Sequence, residues 1–275
     1  MRRQMANTEK RRSKFTFGMP YLIETKDIDQ ALDEVSRLGL EFIELNTNFP
    51  SSMVSRLNPD YLVDEAKKRR IFYSLHLDDA ISIADFNPFV RKAYLDSSLE
   101  AIEFAKKVGI ETINVHFSKG NIVTLPSGKN YLFFHYQEEF HENLIAFRDA
   151  CEKAIGDEDI MIAIENTDGW EDYERQAIEL LLESEVFGLT LDIGHNHAVS
   201  DKDLSFFMKH KNRLIHMHAH DGWDKTNHQA LGRGEIDLKS RLDFAKSQQA
   251  TVVLETKTLE ALEESISWLK SNSYL

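Results

Sequence analysis

Cysteine is almost missing from this chain: Cys151 stands alone among 275 residues. No disulfide can form within it, and such usage fits a reducing cytosol, with Cys151 itself read as a small buried apolar residue. Long apolar runs are also missing. The longest, such as residues 160–164, fall far short of the roughly 20 residues that span a bilayer, so a membrane helix is not expected. The first 14 residues lack the apolar segment of a secretory signal and carry six Lys/Arg against one Glu; they read as a flexible basic tail. Basic residues are otherwise scarce. The whole chain stands at −13, and without that tail the remainder is near −18. A surface so acidic disfavours nucleic acid, whose binding depends on Lys and Arg neutralising phosphates, unless a local basic stripe overrides it; much of the charge is expected to be solvated helix surface.

What is present is an alternation. Short β-rich runs at 15–19, 41–46, 71–77, 112–117, 160–166, 188–192, 214–219 and 252–255 are separated by helix-length amphipathic segments such as 27–38, 59–70, 89–108, 137–155 and 259–270. Residues 38–45 (LGLEFIEL) and 108–115 (VGIETINV) echo each other. Each puts a glycine where a helix must end and a strand begin, since glycine adopts the left-handed C′ conformation without steric cost. A 275-residue chain with 42% hydrophobic residues can bury one large core. Eight βα units in that length close most naturally into one α/β (β/α)8 barrel over residues 15–275. An open doubly wound sheet usually shows a Gly-rich first loop, which this chain does not have.

The chemistry lies at the strand ends. Asn46, His76, His116, Glu165, Asp192, His218 and Glu255 each fall at or near the C-terminal end of a different expected strand, the rim where barrel active sites form. Any one of these has a structural explanation. Seven converging on one opening are harder to explain so, because buried carboxylates of like charge need a cation between them. Glu165 and Glu255 each close an apolar run, and read as metal ligands or acid/base groups rather than paired salt bridges. In Leu191-Asp192-Ile193-Gly194-His195, Gly194 is expected to let the chain turn so that Asp192 and His195 reach one centre. Within His216-Met217-His218-Ala219-His220-Asp221, His218 is nearest the strand end and is assigned as a ligand. His216 takes a structural place one layer deeper, and His220 or Asp221 lies in the following loop. His135, His141, His197 and His210 read as surface or packing residues. The glycine-rich stretch after His228 (LGRGE) fits phosphate binding and a plain turn equally.

These segments together, Glu165, LDIGH, HMHAHD, the H-x-x-L-G-x-G stretch from His228 and the terminal Glu255, resemble the xylose isomerase-like superfamily over roughly residues 15–270. That group includes hydroxypyruvate isomerases, ketose 3-epimerases and other sugar isomerases, and the endonuclease IV class of DNA repair enzymes. The resemblance implies one divalent metal held by Glu165, Asp192, His218 and Glu255. His195, with His76, His116, His228 and Asn46, would face the substrate. It further implies an isomerase or epimerase of a small sugar or sugar phosphate, in which Glu165 and Glu255 move protons on opposite faces of an α-hydroxycarbonyl through a cis-enediolate. A donor set rich in oxygen with one histidine favours Mn²⁺ or Mg²⁺, and further histidines pull towards Zn²⁺. The expected partner is the sugar, with neither membrane nor nucleic acid, and a homo-oligomer is left open.

The runner-up is a zinc-dependent abasic-site endonuclease, in which His76, His116 and His228 would also bind metal. A barrel lyase or dehydratase, or a non-catalytic binding barrel, completes the alternatives. The chain departs from the repair pattern at Thr226, two residues before His228, where that pattern has an aspartate ligand; Asp224 is out of register. It departs from the ketose epimerases in having no arginine shortly after His218, where Lys225 is the available substitute.

Overall fold

The computed structural model describes residues 15–275; the expected basic tail at 1–14 lies outside the described residues. The first half of the chain alternates β1 (Phe17–Pro20), α1 (Ile28–Leu38), β2 (Phe42–Asn46), α2 (Pro59–Arg69), β3 (Phe72–His76), α3 (Pro88–Val108) and β4 (Thr112–His116). A hairpin, β5 (Ile122–Leu125) and β6 (Gly128–Tyr131), a short helix α4 (Leu132–His135) and α5 (Gln137–Ile155) follow. The second half runs β7 (Met161–Glu165), α6 (Asp172–Leu182), β8 (Phe187–Asp192), α7 (Ile193–Ala198), α8 (Leu204–Lys209) and β9 (Leu214–Ala219). A second hairpin, β10 (Asp221–Trp223) and β11 (Thr226–Gln229), precedes α9 (Leu238–Gln248), β12 (Thr251–Leu254) and α10 (Leu259–Ser271).

Eight parallel strands close into a barrel in the order β1-β12-β9-β8-β7-β4-β3-β2. The eight expected strands are all present, with ends shifted by a residue or two. Glu255 lies one residue beyond β12, yet its N–H still donates to Ala219 O at 3.0 Å, which keeps it in the ladder. Gly39 and Gly109 end α1 and α3 with φ of +70° and +82°, the left-handed C′ role expected of the echoed glycines. Helices start on short polar caps: Asp27 accepts from the Gln30 N–H, and Thr258 from the Ala261 N–H.

Because side chains alternate along a strand, each one serves two compartments. Ile43, Leu45, Ile113, Val115, Ile162, Ile164, Leu189 and Leu191 are buried in the hydrophobic core, packed between the strands and the helix ring. Their alternates, Glu44, Ser74, Asn114, Thr190 and His216, are also buried but polar. A polar layer therefore lies directly beneath the strand ends. Cys151 is buried in α5, as expected, and no helix among the described residues is long and apolar enough to cross a membrane.

Candidate functional site

Strand register sets the site's level. Asn46 pairs with His76, His116 with Glu165, and Asp192 with His218, so residues far apart in sequence end their strands side by side. Four of the expected residues come closest: Glu165, Asp192, His218 and Glu255 each offer a ligand atom, and these atoms all lie within 4.8 Å of one another. His218 Nδ1 is 3.1 Å from Glu165 Oε1, 3.3 Å from Glu255 Oε2 and 4.0 Å from Asp192 Oδ2. Glu165 and Asp192 are fully buried, and Glu255 is partly exposed, its side chain 15% accessible.

The expected substrate-facing residues ring this centre. His76 and His116 put their Nε2 atoms 3.3 and 3.4 Å from Glu165 Oε2, while His76 Nδ1 donates to the Leu77 carbonyl at 2.6 Å. His195 Nδ1 lies 3.2 Å from Asp192 Oδ2. His228 takes a left-handed backbone, φ +56°, and its Nδ1 contacts the Glu255 carbonyl at 3.1 Å. Asn46 ends β2 beside His76, its Oδ1 accepting from the Asn48 N–H at 2.9 Å.

Burial alone would push these carboxyls up. The His218 and His116 imidazoles overcome it at Glu165, and His218 with Lys257 does so at Glu255, holding both well below the usual carboxylate range. Burial opposes charge on His218, yet Glu165, Glu44 and Glu255 raise it well above the ordinary histidine value. Burial lowers His76, but Glu165 overrides it and raises the imidazole to about 9. His228, with burial dominant, is lowered to about 4. Positive charge is thus demanded at the centre of three carboxylates.

A divalent ion fits that demand. Three carboxylates and one imidazole form an oxygen-rich donor set, and Glu255 Oε2 and His195 Nδ1 are buried atoms without a hydrogen-bond partner. The cation Lys257 reaches only the outer edge, with Nζ 2.8 Å from Glu255 Oε1.

Several residues escaped the sequence reading. His220 does lie just beyond β9, as expected, in the one-residue link to β10, but it is fully buried, with Nε2 3.0 Å from Asp192 Oδ1 and Nδ1 accepting the His228 N–H at 2.8 Å. Gly194 does not make a sharp turn. It lies inside α7 without a positive φ, and a Cβ there would sit 1.9 Å from His220 Cε1, so the glycine makes room for a ring. Asn166 clamps β7 to β8, donating to Asp192 O and accepting from Asp192 N, both at 2.9 Å. Asn114 donates to Glu165 Oε2, and Glu44 lies below His218. The signal for the deeper pair was the recurrence of polar residues at period two in FIELN and TINVH. The glycine-rich stretch resolves as a turn wrapped on Asp221: Gly222 and Gly232 N–H groups donate to its carboxylate at 2.9 Å, and Ile236 N–H at 3.2 Å. These N–H groups are thus already taken by Asp221.

A cavity of about 1050 Å³ opens at the opposite face, lined by Thr16, Glu41, Thr112, Met161 and Thr251. It holds none of the strand-end groups; the barrel's chemistry belongs to the C-terminal rim.

Comparison with known proteins agrees with the barrel fold. The family model for the xylose isomerase-like TIM barrel matches residues 32–272. An uncharacterised protein of Methanocaldococcus jannaschii, MJ1614, is 24% identical over 260 residues, covering 91% of this chain and 95% of its own. A D-tagatose 3-epimerase-like protein superposes with a TM-score of 0.77 at 21% identity, covering 94% of this chain and 96% of the other. The IOLI protein, solved with a bound zinc atom, gives 0.71 at 15% identity over 94% and 96%. At these identities the solved structures speak for the fold.

Proposed function

The chain belongs to the xylose isomerase-like TIM barrel family, and on that footing we propose that it is a divalent-metal-dependent isomerase or epimerase of a small sugar or sugar phosphate. The observation that carries the reading is the convergence of Glu165, Asp192, His218 and Glu255 from four strand ends onto a volume in which their ligand atoms lie within 4.8 Å. A metal ion held by these four would polarise a substrate carbonyl and its neighbouring hydroxyl, acidifying the C–H bond between them. Glu165 and Glu255 stand on different strands, so one can take the proton from carbon while the other returns it. Both are held deprotonated by their imidazole neighbours, the state a base requires. His195, His76 and His116 supply N–H donors for substrate hydroxyls around the opening. The bound zinc of IOLI and the epimerase likeness support the same reading.

Elemental analysis and isotope exchange test it. One ion per chain is expected, together with deuterium uptake from heavy water at the carbon beside the carbonyl of a turned-over ketose or aldose. Glu255→Gln should lower turnover by roughly 10²-fold or more, with metal occupancy measured alongside. Full turnover at full occupancy would remove Glu255 as acid or base. The second reading, a multinuclear zinc endonuclease, draws on His76 and His116, which flank Glu165 with Asp79 nearby; three zinc ions per chain would favour it.

A further inference from the structure

The polar layer beneath the rim contains one charge that the proposed reaction does not use. Glu44, on β2, is 2% exposed in the barrel axis. Its Oε2 is 3.0 Å from His216 Nε2 and accepts from Ser74 Oγ at 3.2 Å, and His216 is anchored behind by Thr251 Oγ1, 2.6 Å from its Nδ1. With Oε2 fixed, Oε1 is turned to His218 Nε2 at 2.9 Å. This is a close charge pair rather than an aligned hydrogen bond, since His218 Nε2 makes none.

Two facts argue against a merely structural carboxylate. Burying an ionised carboxyl is costly unless its partners require it, and a fourth carboxylate directly below three others adds like charge to the same place. Moreover, Oε1 faces the one imidazole whose other nitrogen points at Glu165, Glu255 and Asp192. Both ring nitrogens face carboxylate oxygens, Nδ1 donating to Glu165 Oε1 at 3.1 Å; once Nδ1 gives up its proton to a cation, the remaining proton must sit on Nε2, 2.9 Å from Glu44 Oε1. Carboxylates behind metal-bound histidines act in this way elsewhere, fixing tautomer and ring orientation.

We propose that Glu44 is a positioning residue: it holds the Nε2 side of His218 so that Nδ1 is the atom presented to a divalent cation among Glu165, Asp192 and Glu255. The inference rests on the metal-centre reading above. It assigns a role to a residue that would touch neither metal nor substrate.

The test uses the full chain with Zn²⁺ as probe, following binding by calorimetry and the His218 ring nitrogens by ¹⁵N NMR. In the wild type, zinc should shift Nδ1 as the bound nitrogen and leave Nε2 protonated. Glu44→Met keeps the volume but removes the acceptor; zinc affinity should fall roughly 10- to 100-fold, and the His218 pattern should change. Glu44→Gln keeps an acceptor oxygen without the charge and should recover part of the affinity and the wild-type tautomer, a rescue that packing alone would not produce. Wild-type affinity and unchanged His218 signals in a folded Glu44→Met protein would overturn the proposal. If that variant does not fold, full wild-type zinc affinity in Glu44→Gln overturns it. A wild type that binds no zinc overturns the metal centre itself, and Glu44's role with it.

Discussion

Gly194 shows how much one missing methyl group decides. The ring of His220 lies where its Cβ would be, and that ring is fully buried between Asp192 and the His228 backbone, so it has nowhere to retreat. Gly194→Ala should therefore cost about 1–3 kcal/mol, the range for forcing extra volume into a packed site, and should weaken zinc binding through Asp192. Thermal unfolding of the metal-free protein and a zinc titration check both; no change in either would remove the ring as the reason for the glycine. The motif LDIGH was legible as a site marker, but for a different physical cause. Strand ends could be read because each polar residue terminates its own apolar run, as Glu165 does after MIAI. His220 and Glu44 could not be assigned, because their roles depend on which strands become neighbours and on how far each is staggered, which one strand's pattern does not contain.

Among the helices, α6 carries an unusual titrating group. Glu174 is the third residue of the helix, and its Oε2 accepts the Glu171 N–H at 2.8 Å in a capping box, but it is buried with Oε1 unpartnered. Burial raises its carboxyl to about 7, although the Glu171 N–H and Lys119 pull the other way. The folded state thus binds this proton more tightly than the unfolded chain. The stabilisation is fully present below the unfolded value near 4.5 and is lost as pH rises through about 7. Glu174→Gln should flatten that slope between pH 5 and 8 and raise stability at pH 8 by roughly 2–3 kcal/mol. Denaturant melts across pH measure it, and an unchanged slope would place the proton elsewhere. At this scale the alternation of strands and helices was readable from hydrophobic period and from capping residues such as Gly39 and Gly109. The hairpin β5–β6 was not, since β5 is exposed along its whole length and carries no burial pattern; nor was β10–β11, whose buried residues, Asp221 and Gly222, give no apolar signal.

Taken as a whole, the described residues carry a net charge near −18, more acidic than the full chain at −13, which bears on partners. Duplex DNA containing an abasic site should show no binding by fluorescence anisotropy at physiological salt, because too few phosphates would meet a cation. Specific incision of that duplex would replace the isomerase reading with the nuclease one. The barrel's polar axis has a kinetic side as well. Glu44 meets His216 across 172 residues of chain, and β1 and β12 stand between their strands around the wall, so the contact exists only once the ring has shut. Interactions of such long sequence separation are completed late in folding. Loosening this one should therefore speed unfolding while leaving the refolding rate nearly untouched, a difference visible in the two arms of a chevron for Glu44→Gln. The same carboxylate that aims a ligand would then also act as a latch, setting how long the closed ring survives between openings.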